Sequence, residues 1–531
     1  MQRLPLLLSC LLLATPALTQ EPPQRPNILF IFSDDHAPHA IGAYGSAYEE
    51  MNPTPRIDKL AAEGMLFRNS FCTNSICGPS RAVILTGLHS HRNGFRDNGD
   101  RFDGDQVTFP KLLKGAGYET ALLGKWHLGS APQGFDYWEV LPGQGDYYNP
   151  KLISAEGERV VEGYCTDIVT DLALDWLKGR EDEDQPFLLM CQHKAPHRNW
   201  MPPLRHLDLW EGLEVPEPET LFDQHLDDAL VARLQEMEVD RDMNLVYDLF
   251  VEEHDGWNSD DGFANDSSGV RNLQRMNGDQ RKAWNEAFGP RNKAFLEAEL
   301  TGKELVRWKY QRYIKNYLRT VRGVDDSVGR LLDYLKESGL AENTIVVYSS
   351  DQGFFLGDHG WFDKRWMYEE SLRMPLIVRW PGVTEAGAVD EHMVQNLDYA
   401  QTFLEAAGVA APEGMQGRSL VPLLQGTEPE DWRSSIYYHY YAFPSIHRVA
   451  RHYGIRTERH KLIHYYQFGL WELFDLQTDP DERVNLFGQE GCDELTRGLQ
   501  KGLQGLRLEF GDEGGTELQS KEWQEKFGVR R

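Results

Sequence analysis

A chain of 531 residues is too long for one small domain and implies a large domain with a smaller companion. Its 48 glycines, 27 prolines and 11% aromatic residues exclude a low-complexity or disordered chain. A formal charge of -28 excludes non-specific nucleic-acid binding, which needs basic surface; it reads as solubility, and any polyanionic ligand would need local cations or a metal to offset the field.

Met1-Gln2-Arg3 carries one positive charge, and Leu4 to Ala14 is an apolar run shorter than a membrane span. With small residues at Ala17-Leu18-Thr19, this predicts an export signal over 1–19 and a secreted or periplasmic protein. Leu7-Leu8-Ser9-Cys10 is only faintly like a lipoprotein box, because the apolar segment before Cys10 is too short, so anchoring there is not expected. No later stretch is long and apolar enough to span a membrane.

Pro26 to Phe32 reads as a buried strand that ends in Ser33-Asp34-Asp35. Pro186 to Cys191 is a second such run. Residues 203–300 are polar and read as an insertion of helices and loops over the substrate face, with Asn258 to Gly262 as a loop. Val324 to Ser338 is predicted helical, with Val328, Leu331, Leu332 and Leu335 on one face. Thr344 to Ser350 repeats the strand pattern and ends in Asp351-Gln352-Gly353. Strands alternating with amphipathic helices predict an α/β fold with a largely parallel sheet and ligands at the carboxyl ends of its strands. After Leu424-Gln425-Gly426 the composition shifts, and strands are expected at 436–441, 461–466 and 471–476, followed by a short helical tail. The expected division is therefore 20–430 and 431–531.

Carboxylates gathered at strand ends, as Asp34, Asp35 and Asp351 would be, repel one another unless a hard cation neutralises them. Gln352 adds a neutral oxygen, and oxygen-only ligands suit Ca²⁺ or Mg²⁺ rather than Zn²⁺. The plainer alternative is that aspartate is common in turns after strands. Three further segments gather chemistry: Gly124 to Gly129 with Lys125 and His127, His193 to His197, and Asp363-Lys364-Arg365. Any one of these side chains alone is more often a surface or core residue; their joint placement after strands or Gly-rich turns points to a site. Asp363 and Arg365 supply an acceptor and donors suited to vicinal hydroxyls, or else form a salt bridge that positions Lys364. Trp200 suits either a sugar face or the core. Cys72, Cys165, Cys191 and Cys492 show no zinc spacing and read as free thiols.

Cys77-Gly78-Pro79-Ser80-Arg81, followed by Leu85-Thr86-Gly87, resembles the signature of type I sulfatases. The resemblance extends through Gly357-Asp358-His359-Gly360, Met367 to Ser371, Pro375 to Val378, Arg456 to Arg459 and Trp471 to Leu476, nearly the whole mature chain. It implies an alkaline-phosphatase-like fold: a large mixed sheet between helices, then a small four-stranded sheet with a helix. It implies oxidation of Cys77 to formylglycine by a formylglycine-generating enzyme, a gem-diol that attacks sulfur, and a second hydroxyl that drives release of sulfate. One Ca²⁺ would sit among Asp34, Asp35, Asp351, Gln352 and the group made from Cys77, although Gln352 stands where Asn or His is more frequent. By the same resemblance Lys125 and Lys364 contact sulfate, Arg81 anchors the formylglycine hydroxyl, and His127 assists deprotonation of the gem-diol. His197 would protonate the leaving alcohol, with His193 as second choice.

Lys194 to Trp200 with Asp363-Lys364-Arg365 is most similar to the N-acetylglucosamine-6-sulfatase branch, so a sulfated glycan is the expected substrate. Tyr437, His439, His447 and His452 are expected to add contacts from the C-terminal unit. Three alternatives stand beside this reading: a sulfatase of an algal polysaccharide such as ulvan, a phosphonate or phosphate monoester hydrolase, and a glycan-binding protein with unmodified Cys77.

Overall fold

The structure is a computed structural model that describes residues 25–225, 227–252 and 272–514. The expected export signal and the loop expected at 258–262 lie outside the described residues.

Five parallel strands form the centre of a ten-stranded sheet, in the spatial order Thr344–Ser350, Asn27–Ser33, Phe187–Gln192, Glu119–Lys125 and Tyr137–Leu141. Antiparallel pairing of Leu376–Arg379 on one side and Lys151–Ser154 on the other makes the sheet mixed. The central strands are apolar on both faces, as strands covered by helices must be. Ile28, Phe30, Leu122, Leu188, Met190 and Val347 face one core, against helices Cys77–Thr86, Phe109–Gly115 and Tyr399–Ala406. Leu29, Ile31, Leu123, Leu189, Cys191 and Val346 face the other, against Pro55–Glu63, Cys165–Lys178 and the second half of Gly302–Glu337. Each such side chain taken fully out of water contributes roughly 1.5–3 kcal/mol, so the sheet is the rigid base on which its loops stand.

The helix expected from Val324 to Ser338 begins earlier, at Gly302. Its first half buries Tyr310, Tyr313, Ile314, Tyr317, Leu318 and Val321 against a third core, and charged residues between these aromatics hide the periodicity. That third core also holds Trp200, which is fully buried with its ring 4.4 Å from Tyr313; Trp200 is a packing residue and not a sugar platform. The described part of the 203–300 segment has one long helix, Gly278–Ala298, started by a capping box between Asn277 and Gln280, and is otherwise irregular.

A separate antiparallel sheet runs Ser435–Tyr440, His452–Thr457, His460–Tyr465 and Leu470–Asp475, in that order. Helix Asp493–Phe510 covers one face through Leu499 and Leu503, while Ile436, Tyr438, Ile463 and Phe474 on the other face continue the core of the large sheet. Lys461, fully buried, joins the two units by pairing with Glu369 at 2.9 Å and Glu482 at 2.7 Å. His452 lies among Trp366, Tyr438 and Tyr465, with Nδ1 2.7 Å from the Ala450 carbonyl, so it belongs to this aromatic core and not to a substrate surface. Tyr437 and His439 are likewise committed elsewhere: both bond the carboxylate of Asp512, at 2.7 and 2.6 Å.

Two glycines give a paired test of this packing. A Cβ on Gly353 would lie 2.0 Å from the Glu370 carbonyl oxygen and 2.3 Å from that of Arg373, both backbone atoms that cannot yield cheaply. A Cβ on Gly498, exposed in the C-terminal helix, meets nothing within 4 Å. In thermal denaturation Gly353→Ala is expected to lower the midpoint or abolish soluble protein, whereas Gly498→Ala should be neutral or stabilise by up to ~1 kcal/mol.

Candidate active site

Most charged groups of the site leave the carboxyl edge of the parallel sheet, joined there by Arg81 from a helix and Lys364 from the segment after strand Phe362–Asp363. Asp34 and Asp35 follow strand Asn27–Ser33, Asp351 and Gln352 follow Thr344–Ser350, Lys125 ends Glu119–Lys125, and the loop after Phe187–Gln192 carries His197. Helix Cys77–Thr86 points its first turn at the same edge. Cys77 and Arg81 are four residues apart, so they share one face of this helix. Pro79 in the first turn costs no hydrogen bond there. Gly78 is needed for closeness: a Cβ would stand 2.6 Å from the Phe95 ring and 2.9 Å from Asn98 Oδ1.

The carboxylates of Asp34, Asp35 and Asp351 each offer an oxygen within 4.8 Å of the others, and all three side chains are fully buried. Three buried cations interleave with them. Arg81 Nη2 is 3.0 Å from Asp351 Oδ2 and 3.4 Å from Asp34 Oδ1, Lys364 Nζ is 2.7 Å from Asp35 Oδ2, and Lys125 Nζ bonds Asp34 Oδ2. Burial pushes Asp34 up, but Lys125, His197 and Arg81 outweigh it and hold that carboxyl well below the usual carboxylate range. Asp35 goes the other way: burial, reinforced by Asp34 and Asp363, outweighs Lys364 and raises it to about 6. Asp351 is raised well above its ordinary value, first by burial and then by Asp34.

This donor set fits a hard cation. Two of three clustered carboxyls are pushed toward the neutral form, first by burial and then by the neighbouring aspartates, and a divalent ion would favour their ionised forms. Gln352 donates from Nε2 to Asp35 Oδ1, while its buried Oε1 has no hydrogen-bond partner. An orphaned acceptor beside three carboxylates is the arrangement an oxygen-ligated ion would complete.

Cys77 lies 1% exposed, with Sγ within 4.8 Å of an Asp34 oxygen and a His197 ring nitrogen. Burial and then Asp34 push its thiol up to about 12, so the unmodified side chain is no thiolate nucleophile. The ring of His197 donates from Nδ1 to the Arg198 carbonyl at 2.7 Å, which leaves Nε2, 3.8 Å from Asp35 Oδ2, as the atom that can exchange a proton in the site. Burial and then Lys125 hold both His197 and His127 well below the ordinary imidazole value. His127 Nδ1 is buried without a partner.

Beside this cluster a second group of side chains meets. Arg365 Nε is 3.3 Å and His447 Nε2 3.2 Å from the two oxygens of Asp363, and Arg198 Nη1 is 3.3 Å from His447 Nε2. Asp248 holds Arg198 through two bonds of 2.6 and 2.8 Å. Backbone strain concentrates in these residues: Asp35, His127, Asp363, Arg365 and His447 all have positive φ, between 55° and 94°. Each costs on the order of 1–3 kcal/mol and persists because the surroundings over-determine it.

Of the residues expected from the sequence, Asp34, Asp35, Cys77, Arg81, Lys125, His127, His197, Asp351, Gln352 and Lys364 converge, and Asp363, Arg365 and His447 lie adjacent. His193 shows no contact with them: it is fully buried, with Nε2 3.8 Å from Cys191 Sγ and Nδ1 without a hydrogen-bond partner. Several contributors escape a sequence reading. Gln192 and Gln144 accept from Arg81 at 2.8 Å and from Lys125 at 2.5 Å. Ser80 ties the Cys77 helix to the Asp351 carbonyl, and Asn396 donates to Ser80 at 2.8 Å. Gln192 ends a recognisable strand, but Gln144, Asp248 and Asn396 sit in segments with no pattern to single them out.

Residues 26–409 match the sulfatase family, and residues 357–509 match the C-terminal region of N-sulphoglucosamine sulphohydrolase. The N-acetylglucosamine-6-O-sulfatase of Bacteroides thetaiotaomicron is 46% identical over 513 residues, which cover 95% of this chain and 90% of that protein. A solved structure described as a complex with its substrate, D-glucosamine-2-N,6-O-disulfate, superposes with a TM-score of 0.88 at 45% identity, covering 93% of this chain and 99% of the other. A phosphonate monoester hydrolase of Agrobacterium radiobacter shares the fold alone, with a TM-score of 0.66 at 19% identity over 92% of this chain and 96% of that one. The large mixed sheet with its separate small sheet is the alkaline-phosphatase-like fold, and the chain belongs to the sulfatase family, enzymes that hydrolyse sulfuric esters.

Proposed function

We propose that this enzyme removes the 6-sulfate of N-acetylglucosamine units in a sulfated glycan, with a formylglycine made from Cys77 and one Ca²⁺ held by Asp34, Asp35, Asp351 and Gln352. The observation that carries the reading is the 46% identity across 95% of the chain to an N-acetylglucosamine-6-O-sulfatase. The convergence of Cys77 with three buried carboxylates, three buried cations and His197 supports the chemistry. The fold shared with a phosphonate hydrolase favours no second reading, because the fold alone does not select the ester. In this proposal residues 1–19 direct export, 20–430 form the catalytic unit and 431–531 the C-terminal one. Among the described residues no helix is long and apolar enough to cross a membrane.

A formylglycine made from Cys77 would supply, when hydrated, an oxygen nucleophile and a second hydroxyl for release of sulfate, and a Ca²⁺ held by Asp34, Asp35, Asp351 and Gln352 would supply positive charge in the site. The remaining work falls to this chain's own side chains. Lys125 and Lys364 carry donors only, and each is oriented by an aspartate, so both can turn hydrogen bonds toward a sulfate ester without a large search. Arg81 fixes Asp34 and Asp351 relative to the Cys77 helix. His197 offers Nε2 to the leaving oxygen; the anionic sulfate beside it would offset the cations that hold its proton affinity down. His127 brings an imidazole held neutral by burial and Lys125, suited to accept a proton near the Cys77 group. Asp363 and Arg365 form a carboxylate–guanidinium pair held from behind by His447, an arrangement that reads adjacent sugar hydroxyls.

With protein co-expressed with a formylglycine-generating enzyme, release of sulfate from N-acetylglucosamine 6-sulfate is expected by ion chromatography. No release from protein whose Cys77 peptide mass shows the aldehyde would reject the substrate. Cys77→Ala should lower turnover by ~10⁴-fold or more while circular dichroism stays unchanged, as loss of a nucleophile does. Asp351→Ala is expected to lose bound Ca²⁺ and activity together; Ca²⁺ content equal to wild type would remove Asp351 from the ion site. Arg365→Ala should cost the saccharide on the order of 10–100-fold in kcat/KM, the worth of a hydrogen bond to a charged group, and a small aryl sulfate much less. Equal losses on both substrates would assign Arg365 to holding Lys364.

A further inference from the structure

A second group of metal-ligating side chains lies away from the sulfate site. Asp223, His225 and His359 each place one ligand atom within 4.8 Å of the others. His225 and His359 are buried, and the three come from two distant segments: the irregular stretch after residue 203, and the Gly357-Asp358-His359-Gly360 turn four residues before Lys364.

His359 is the telling residue. Its side chain has no exposure, its backbone is held with φ at 57°, and neither ring nitrogen has a hydrogen-bond partner. The nearest acid to Nε2 is Glu370 Oε2 at 3.8 Å, itself buried and unbonded. A fully buried imidazole with both nitrogens unused is costly and rare. His225 shows the outer contact common to metal-bound histidine, with Nδ1 2.8 Å from Asp228 Oδ2. Its Nε2 donates to the His359 carbonyl at 2.9 Å; one of its two nitrogens would exchange a proton for the ion while the other keeps its acceptor.

We propose that Asp223, His225 and His359 form a structural site for a zinc-like divalent cation, distinct from the oxygen-lined site at the sheet edge. Two imidazoles and one carboxylate are a borderline-soft donor set, which suits Zn²⁺ and not Ca²⁺. Ligand atoms around one tetrahedral zinc, each bonded at about 2.0–2.1 Å, lie roughly 3.3–3.4 Å apart, so groups that already lie within 4.8 Å of one another would close by at most about 1.5 Å. A cleft of about 480 Å³ lies alongside, lined by Asp358, the chain neighbour of His359, and by Glu370, whose Oε2 is 3.8 Å from His359 Nε2. Bound there, the ion would clamp the irregular stretch to the turn that leads into Asp363-Lys364-Arg365. Trp361 stacks on His225 with ring centroids 4.5 Å apart and transmits that clamp.

The test is metal content of the full chain after loading with Zn²⁺ and desalting. Wild type and Cys77→Ala are each expected to keep about one zinc per chain, while His359→Gln and His225→Asn should keep at least about tenfold less. Because Cys77, Asp34 and His197 also lie close together, zinc lost in Cys77→Ala and kept in His359→Gln would place the ion at the sulfate site and overturn the proposal. Wild type that keeps no zinc overturns it as well. A readout that needs no variant is the visible spectrum of wild type loaded with Co²⁺: it should show d–d bands with no thiolate charge-transfer band. Wild type should also melt higher with added Zn²⁺ and lower with chelator; insensitivity to both counts against the site.

Discussion

Six ionic side chains without access to water meet at one edge of the sheet, and the rest of the site depends on how they neutralise one another. Asp34, Asp35, Asp351, Arg81, Lys125 and Lys364 are all at most 3% exposed. Taking so many charges out of water costs several kcal/mol per ion, and only close pairing restores the balance. The pairing is uneven. Asp34 has Lys125 and Arg81 and stays ionised, whereas Asp35 and Asp351 are pushed toward their protonated forms. A chain of formal charge -28 thus keeps three buried cations beside its three clustered carboxyls, the local positive charge that an anionic ester needs.

That balance constrains the architecture. The six residues come from segments up to about three hundred positions apart, and the sheet brings them together through register: Ser33 pairs with Ser350, which sets Asp35 N 3.0 Å from Asp351 Oδ1. Two hydrophobic cores clamp the sheet from both faces, so strained backbone at Asp35, His127, Asp363 and Arg365 is carried by packing elsewhere. The C-terminal unit is more than an appendage. It shares the core of the large sheet and sends His447 to the carboxylate of Asp363. The two sheets are therefore mechanically joined, through a buried Lys461 bridge and a continuous apolar contact.

Much of this was legible in the sequence, and the parts that were not share a cause. Strands Asn27–Ser33 and Thr344–Ser350 show as apolar runs ending in acids because they are covered on both faces. The helix Gly302–Glu337 was legible only where its apolar face is aliphatic; tyrosines and charges in its first half blur the period. Trp200 and His452 were natural candidates for a sugar surface, yet aromatic and imidazole rings pack in a core as readily as on a ligand, and burial alone decides. Asp248 and Gln144 act through neighbours distant in the chain, Arg198 and Lys125, and nothing local marks such a partner.

The depth of Cys77 has a temporal consequence. With 1% exposure, on a helix held by Ser80 to the strand end of Asp351, its sulfur is out of reach of any other protein once the fold is complete. On the proposed reading, an enzyme converting this cysteine would have to meet the chain before residues near 77 dock onto a strand made of residues near 350. Contacts so distant along a chain form late. The same long-range topology that seals the pocket would thus also set the length of time during which a modification of Cys77 could be installed.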